Sequence, residues 1–477
     1  MKNPMRSFIP HHSTRLAALA LAALLAGCAG LQSAYQAPAT QPLAGWAQQP
    51  QVGAAATATA MPDRWWRQLG DPALDQVVEA ALARNNDLAA AALRVRQAQL
   101  QAGLAAVPLL PTASGSLSSN ASRRLEGSGN TTVRSSGATA SVRYEADLWG
   151  RVASTRDAAE WTARATAQDR EAAAQALAGT AAGLYWQLAY LNQRVASSND
   201  SLAYARRTQE LVRAQYAAGS VSALELREAE QMVASQQAAL TQLEQQRTQT
   251  RNAMAVLMDA PPGAALLAQL LPAEPARLSA QALPAVDAGL PAELLARRPD
   301  LRAAESRLRS LLASGDATRA SYYPALTLTG SLGTSSTALL GLLSNPAAAL
   351  GAGLSLPFLN RQEMRLSGEL ATAQYEEAVV NFRQTLYAAF ADVEDALSAR
   401  SQYLRQGELL AQQLAAAREA ERLYEVRYRA GSTALRTWLD AQQSRRTAEL
   451  GVEENRLNQL NALATLYRVL GGGVPAA

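Results

Sequence analysis

Apolar residues recur at heptad-like spacing along much of this chain. Leu184, Leu188, Leu191, Val195 and Leu202 step by four, three, four and seven, and Leu386, Phe390, Val393, Leu397 and Leu404 repeat those steps. Such a stripe suits helices lying side by side, and the alanines between allow close approach. No proline occurs from Thr112 to Ala260 or from Phe358 to Val474. Proline breaks helix interiors, so these tracts predict long helices. Val152 to Ala217 predicts one helix of about 66 residues, roughly 100 Å long at 1.5 Å per residue. The tracts Ala73 to Val107 and Ser222 to Met258 predict helices of roughly 55 Å each. Stacked end to end, the two short helices match the long one and would pack beside it. Gly219 falls where the chain has to reverse, and glycine adopts the left-handed turn conformation at least cost.

Two segments leave the helical period. In "SVRYEADL", Val142, Tyr144, Ala146 and Leu148 alternate with Ser141, Arg143, Glu145 and Asp147. That pattern predicts a strand with one apolar and one polar face. "ALTLTGSL" from Ala325 alternates again, and "GAGLSLPF" puts Leu354, Leu356 and Phe358 on one side. With "TASGSLSS" there are four strand candidates, arranged as two hairpins with polar loops.

The chain also repeats itself. "NNDLAAAALRVRQAQL" from Asn85 pairs with "RPDLRAAESRLRSLL" from Arg298, "PLLPTASGSL" with "SYYPALTLTGSL", and "DLWGR" with "PFLNR". "YAAGSVSALELREAE" at Tyr216 pairs last, with "YRAGSTALRTWLDAQ" at Tyr428. The order is kept throughout, at offsets of about 210 to 213 residues, so one unit is duplicated: helix, two strands, long helix, tip, helix.

Composition narrows the chemistry. Lys2, Arg6 and Arg15 precede an apolar run from Leu16 to Gly27 that is too short to span a membrane, which reads as an export signal. Leu25-Ala26-Gly27-Cys28 resembles a lipobox, which implies cleavage before Cys28 and lipid on that cysteine. Ala29 follows where an aspartate would suggest inner-membrane retention, which favours the outer membrane. Removing residues 1–27 takes away three positive charges and lowers the formal charge from +4 to +1, so the basic balance is no sign of a nucleic-acid partner. The mature chain then has no histidine, no lysine and no thiol free of lipid. Ser-His-Asp and Cys-His catalysis, His/Cys zinc sites, phosphate-binding loops and Schiff bases all lack a required residue. No enzyme, cofactor or metal is expected.

Strands with an apolar outer and a polar inner face, in an exported chain, point to a transmembrane barrel. Four strands cannot close one, since the smallest have about 8, and open edges are not tolerated in lipid. Several chains would have to share the barrel. The chain is similar to the outer-membrane efflux factors, the TolC-type channels of tripartite pumps, in their lipoprotein branch. The resemblance rests on "RRPDLRAAESRLRS" (Arg297 to Ser310), "YRAGSTALRTWLDAQ" (Tyr428 to Gln442) and "LNALATLYRVLGGG" (Leu460 to Gly473), and it runs from about Trp65 onward.

The resemblance implies an α plus membrane β fold. A homotrimer would carry a twelve-stranded outer-membrane barrel that continues into a long periplasmic α-helical barrel. It also implies a periplasmic adaptor, an inner-membrane transporter and contact with outer-membrane lipid. The expected segments are a signal peptide 1–27, a lipidated extension 28–70, a periplasmic helix 71–111, a β-hairpin 112–148 and a helical hairpin 149–260. A proline-rich equatorial link, 261–299, leads to the second repeat: helix 300–323, β-hairpin 324–358, helical hairpin 359–470 and a tail 471–477.

By the same resemblance, adaptor hairpins dock at the tips, Tyr216, Gly219, Ser220 and Val221 with Tyr428, Gly431, Ser432 and Thr433. Relatives often carry an acidic gate residue two positions after the tip glycine, where this chain has Thr433. Arg427, Arg429 and Arg436 are therefore the gate candidates. The implied role is a passive exit duct for drugs or small toxic compounds. An exit channel of a protein or metal exporter is the alternative within the class, and a lipid-anchored coiled-coil scaffold without a pore is the alternative outside it.

Overall fold

The computed structural model describes residues 32–41, 43–48, 63–123, 132–263, 265–271, 274–289, 291–337 and 345–472. The signal segment 1–27, Cys28 and the tail from residue 473 lie outside the described residues, as do parts of the extension 28–70 and of both hairpin loops. The first repeat runs α1 (Pro72–Arg84), α2 (Asn86–Ala106), β1 (Thr112–Arg123), β2 (Thr132–Ala146), α3 (Arg151–Ala217) and α4 (Ala223–Leu257). Short helices α5 (Ala265–Leu270) and α6 (Leu294–Arg297) lead to α7 (Pro299–Ala320), β3 (Ala325–Ser336), β4 (Pro346–Ser355), α8 (Arg361–Arg429) and α9 (Leu435–Val469). The two long helices have 67 and 69 residues, about 100 Å each. Among the described residues, no helix is long and apolar enough to cross a membrane.

The chain divides into two compact units. The first, residues 1–39, 95–166 and 304–383, holds the strands. They form one antiparallel sheet in the order β1-β2-β3-β4. The register places the leucines of β1, β3 and β4, with Val142 and Tyr144, on one face, while Val133, Ala347 and Ala349 lie on the other. Leu117 lies opposite Ala138, Ala140 opposite Leu332, Tyr144 opposite Leu328, and Gly330 opposite Leu350. The other face pairs Ser114 with Ser141, Arg143 with Thr329, and Thr139 with Gly333. Leu350 is 94% exposed and Leu117 83%, so none of the described residues covers the apolar face there. The strands start and stop away from the positions expected from alternation. Asp147 leaves the second strand because its carboxylate caps α3, accepting from the amides of Val152 and Ala153. Pro357 has no N–H for a ladder and opens a tight turn, Pro357–Leu359, instead.

The second unit, residues 40–94, 167–303 and 384–477, is helical. Its larger core gathers Trp65 and Trp66, Leu74, Val77 and Val78 from α1, Leu188 and Leu191 from α3, and Leu463 and Tyr467 from α9. Trp65 stacks on Tyr467 at 5.2 Å and ties the start of one repeat to the end of the other. A second core holds Trp46, Leu301, Leu386, Val393, Leu466 and Val469. The heptad stripes are buried, with Leu184 and Phe390 partly so, except Leu404, which is 41% exposed. Its place in the repeat is right for packing, but no apolar cluster of this chain reaches it.

The helix expected from Ala73 to Val107 breaks at Asn85, whose backbone is extended (φ −62°, ψ 127°). The break has a chemical reason. The side chain of Asn85 accepts from the Leu88 amide and donates to the Leu257 carbonyl at the end of α4, 3.0 Å each. It caps one helix start and one helix end together. Arg298 holds the equivalent place in the second repeat, 8% exposed. It donates to the carbonyls of Val469 and Ala389 and pairs with Asp300 (2.7 Å) and Asp392 (3.1 Å). Burial alone would raise the Asp300 carboxyl, but Arg298 outweighs it and holds that carboxyl below its usual range. A depressed carboxylate stabilises above the ordinary range and loses that contribution as pH falls.

Arg298→Ala takes the donor from the Val469 carbonyl and the cation from the half-exposed Asp300 and Asp392, so we expect a loss of about 1.5–3 kcal/mol in denaturant unfolding followed by helical circular dichroism. Asn85→Ala should cost about 1–2 kcal/mol by the same measurement. Below about pH 4 the gap between wild type and Arg298→Ala should narrow as Asp300 protonates.

Candidate functional site at the helical tips

Each long helix reverses into its return helix through the same hydrogen bonds. Gly219 (φ +74°) and Gly431 (φ +73°) adopt the left-handed conformation. The Ser220 amide and hydroxyl both donate to the Gln215 carbonyl at 2.9 Å. Those of Ser432 donate to the Arg427 carbonyl at 2.9 and 3.0 Å. A Cβ built on either glycine meets nothing within 4 Å, so the turn conformation, not crowding, demands glycine. The return helices start differently. Ser222 and Glu225 form a reciprocal capping box at the start of α4, while Ala434 offers α9 no side-chain cap.

The tips share one core drawn from four helices. Trp438, Leu435 and Leu439 of α9 pack with Val212 of α3, Ala229 of α4 and the half-buried Tyr204, Val221, Tyr424 and Tyr428. Tyr428 stacks on Trp438 at 5.1 Å, and Tyr204 meets it edge-on at 6.2 Å. The Tyr428 hydroxyl donates to Gln215 Oε1 at 2.8 Å and so bonds one repeat's tip to the other's. Burial pushes the Tyr428 phenol above its ordinary value against the opposing Gln215 bond. Tyr204 is pushed up to about 12 by burial, then by Glu425 and Glu421.

The expected docking residues divide by exposure. Tyr216, Gly219, Ser220, Gly431 and Ser432 are exposed, whereas Val221, Tyr428 and Thr433 are half-buried. The repeat is thus unequal, since Tyr216 faces solvent where Tyr428 packs inward. Arg429 pairs with Glu425 on its own helix at 2.6 Å. Arg436 pairs with Asp440 at 3.0 Å and reaches Glu228 of α4 at 3.8 Å. Arg427 is exposed and makes no ion pair among the described residues. A denser charge cluster joins α8 to α9 further along. Arg445 bonds Glu421 and Glu449, and Arg418 bonds Glu449 at 3.2 Å. Burial pulls Arg445 toward neutrality, but its two glutamates prevail and hold it charged. No cluster of three or more possible metal-ligating side chains occurs among the described residues.

A chain that has both this pair of hairpin turns and a sheet with one apolar face has counterparts. The model of the family described as outer membrane efflux protein matches residues 77–259 and 290–472. The chain belongs to the outer membrane efflux protein family. The two matched stretches start 213 residues apart, so the match itself is duplicated. The pyoverdine export outer membrane protein OpmQ of Pseudomonas putida is 38% identical over 91% of this chain and 92% of its own length. The antibiotic efflux pump outer membrane protein ArpC of Pseudomonas putida is 31% identical over 96% and 95%. The CmeC outer membrane channel of Campylobacter jejuni superposes with a TM-score of 0.83 at 22% identity, covering 93% of this chain and 95% of that one. The fold is that of the TolC-type outer-membrane channels.

For a member of this efflux family, the sequence reading missed Trp438, Gln215, Tyr204 and the Glu421–Arg445–Glu449 cluster. Trp438 stood inside the quoted motif, but only the folded tip brings it between two tyrosines. Tyr428→Phe deletes the bond to Gln215 and keeps the ring stack. We expect a loss of about 1 kcal/mol locally, read as roughly fivefold faster amide exchange in residues 214–221 and 426–433. Trp438→Ala should cost about 3–5 kcal/mol. A raised phenol pKa means stability present below the ordinary phenol range and lost above it, so exchange at the tip should rise as pH approaches 12.

Proposed function

We propose that three copies of this chain assemble into an outer-membrane exit duct for drugs or other small toxic compounds. The observation that carries this reading is the sheet: apolar on one uncovered face, polar on the other, and unpaired at the outer edges of β1 and β4. Such a sheet satisfies its edges in lipid only by joining others, and three copies supply twelve strands for one closed barrel. The polar Ser, Thr and Gly face would then line the lumen. The helices add support. Leu93, Leu100, Leu104 and Val107 step by seven, four and three along α2 and its end, all exposed. That is a coiled-coil seam with no partner among the described residues, as expected of a wall shared between copies.

A duct of this kind does no chemistry. Energy would come from an inner-membrane transporter, coupled through a periplasmic adaptor whose hairpins dock at Tyr216, Gly219, Ser220, Gly431 and Ser432. Val221, Tyr428 and Thr433 would act from behind by shaping the tip. Arg436 is the gate candidate that the contacts favour, because it alone of the three arginines reaches across to another helix. The small-compound cargo follows the relatives, two of which are named for exporting pyoverdine and antibiotics.

The anchoring role of Cys28 is supported by its neighbours. The Ser33 amide and hydroxyl both donate to Asp316 of α7, at 2.7 and 2.8 Å. The Arg309 guanidinium lies between the Tyr35 and Trp161 rings, 4.3 and 4.8 Å from their centres. Chain length alone keeps Cys28 within about 18 Å of Ser33. Asp316 stands nine residues before β3, so the lipid would be held beside the strand ends.

Single-particle imaging of protein extracted from outer membranes should show a hollow three-fold particle; a monomer or a solid bundle would sink the duct. Leu350→Arg puts a charge in the apolar band at a cost of about 2–4 kcal/mol and should deplete the assembled form. Arg436→Ala should increase antibiotic uptake through a leaking tip, and unchanged uptake would remove Arg436 from the gate.

A further inference from the structure

The apolar face of the sheet is not apolar to its end. Ala121 pairs with Arg134 and Arg123 with Thr132, and both pairs lie on the same face as Leu117, Ala138 and Val142. Arg123 and Arg134 are therefore diagonal neighbours across β1 and β2, the arrangement in which long side chains on one face reach each other. Both are exposed, and neither makes an ion pair among the described residues. They sit at the end of the strands away from the helices. Arg143, by contrast, points to the polar face.

Position along the strand defines what these arginines meet. Tyr144, on the same face of β2, stands ten residues from Arg134. Ten residues span roughly 34 Å of strand, and a tilt near 45° reduces this to about 24 Å along the membrane normal. An apolar band of outer-membrane barrels is about 25 Å tall. Tyr144 thus stands at one end of this face and two arginines at the other, with the row Ser119, Ser136 and Ser336 between Leu117 and the arginines. Isolated guanidinium groups on a lipid-facing surface are costly within the band and favourable where their stems lie along apolar surface and their heads meet anions.

We propose that Arg123 and Arg134 form a phosphate-binding pair on the outside of the barrel that takes the phosphorylated glycolipid of the outer leaflet. This rests on the reading of the sheet as part of an outer-membrane barrel. The outer leaflet is specified because the pair lies at the strand ends remote from the periplasmic helices. Arginine suits the task through its planar fork, which meets phosphate oxygens two at a time. Two copies of the fork on adjacent strands match a headgroup with more than one phosphate.

The test is native mass spectrometry of the detergent-solubilised full-length protein titrated with lipid A, with dephosphorylated lipid A and with phosphatidylglycerol. Wild type should carry lipid A adducts at least tenfold more readily than dephosphorylated lipid A. The double variant Arg123→Ala/Arg134→Ala should lose that preference, and Arg143→Ala on the opposite face should keep it. Equal adducts of both lipid A forms on an intact wild-type trimer would overturn the pair, as would an unchanged preference in the double variant. Preference for phosphatidylglycerol over lipid A would overturn the assignment to the glycolipid. A wild-type protein that never forms the trimer would instead overturn the barrel, and the pair with it.

Discussion

A helix that ends against the start of another leaves carbonyls facing amides that cannot pair along either axis. This chain meets that constraint twice, and the helical unit depends on how it is met. Asn85 closes the joint in the first repeat with a short amide that serves both helices. Arg298 closes it in the second with a guanidinium that also gathers Asp300 and Asp392. Leu257 and Val469, the carbonyls they hold, occupy matching places at the ends of the two return helices. The joint holds the end of each return helix to the residue that precedes a helix start of the same repeat, Asn85 before α2 and Arg298 before α7. Duplication kept the geometry while the chemistry diverged from neutral to charged.

The tips show the same economy with a different outcome. The turn bonds are reproduced almost identically in the two repeats, because a helix end and a left-handed glycine leave little choice. The surroundings are not reproduced. Tyr428 packs against Trp438 and bonds Gln215, whereas Tyr216 stays in solvent. The Glu421–Arg445–Glu449 cluster adds ion pairs to the second hairpin, while the capping box at Ser222 belongs to the first.

The sheet follows from solvent rather than from internal packing. Leucines at 94% and 83% exposure would be a liability in water. In hydrocarbon they are the required surface, and the Ser and Thr positions opposite them become the wetted one. On the barrel reading, Arg123 and Arg134 at the strand ends would stand where such an apolar band stops.

The sequence by itself determined the repeat, the glycine turns, the long helices and the sidedness of the strands. These are local properties, set by period, by backbone freedom and by the missing prolines. That no lysine follows Lys2 and no histidine follows His12 was equally legible, and it narrows the side-chain chemistry open to the rest of the chain. Only the tertiary structure decided which partner each residue meets. The break at Asn85 could not be read because its cause, the Leu257 carbonyl, lies 172 residues away. The loss of Asp147 from its strand, the exposure of Leu404 and the place of Trp438 between two tyrosines are of the same kind. Periodicity states that a face is apolar, but what covers that face is a contact between distant segments, and those contacts arise only when the chain is folded.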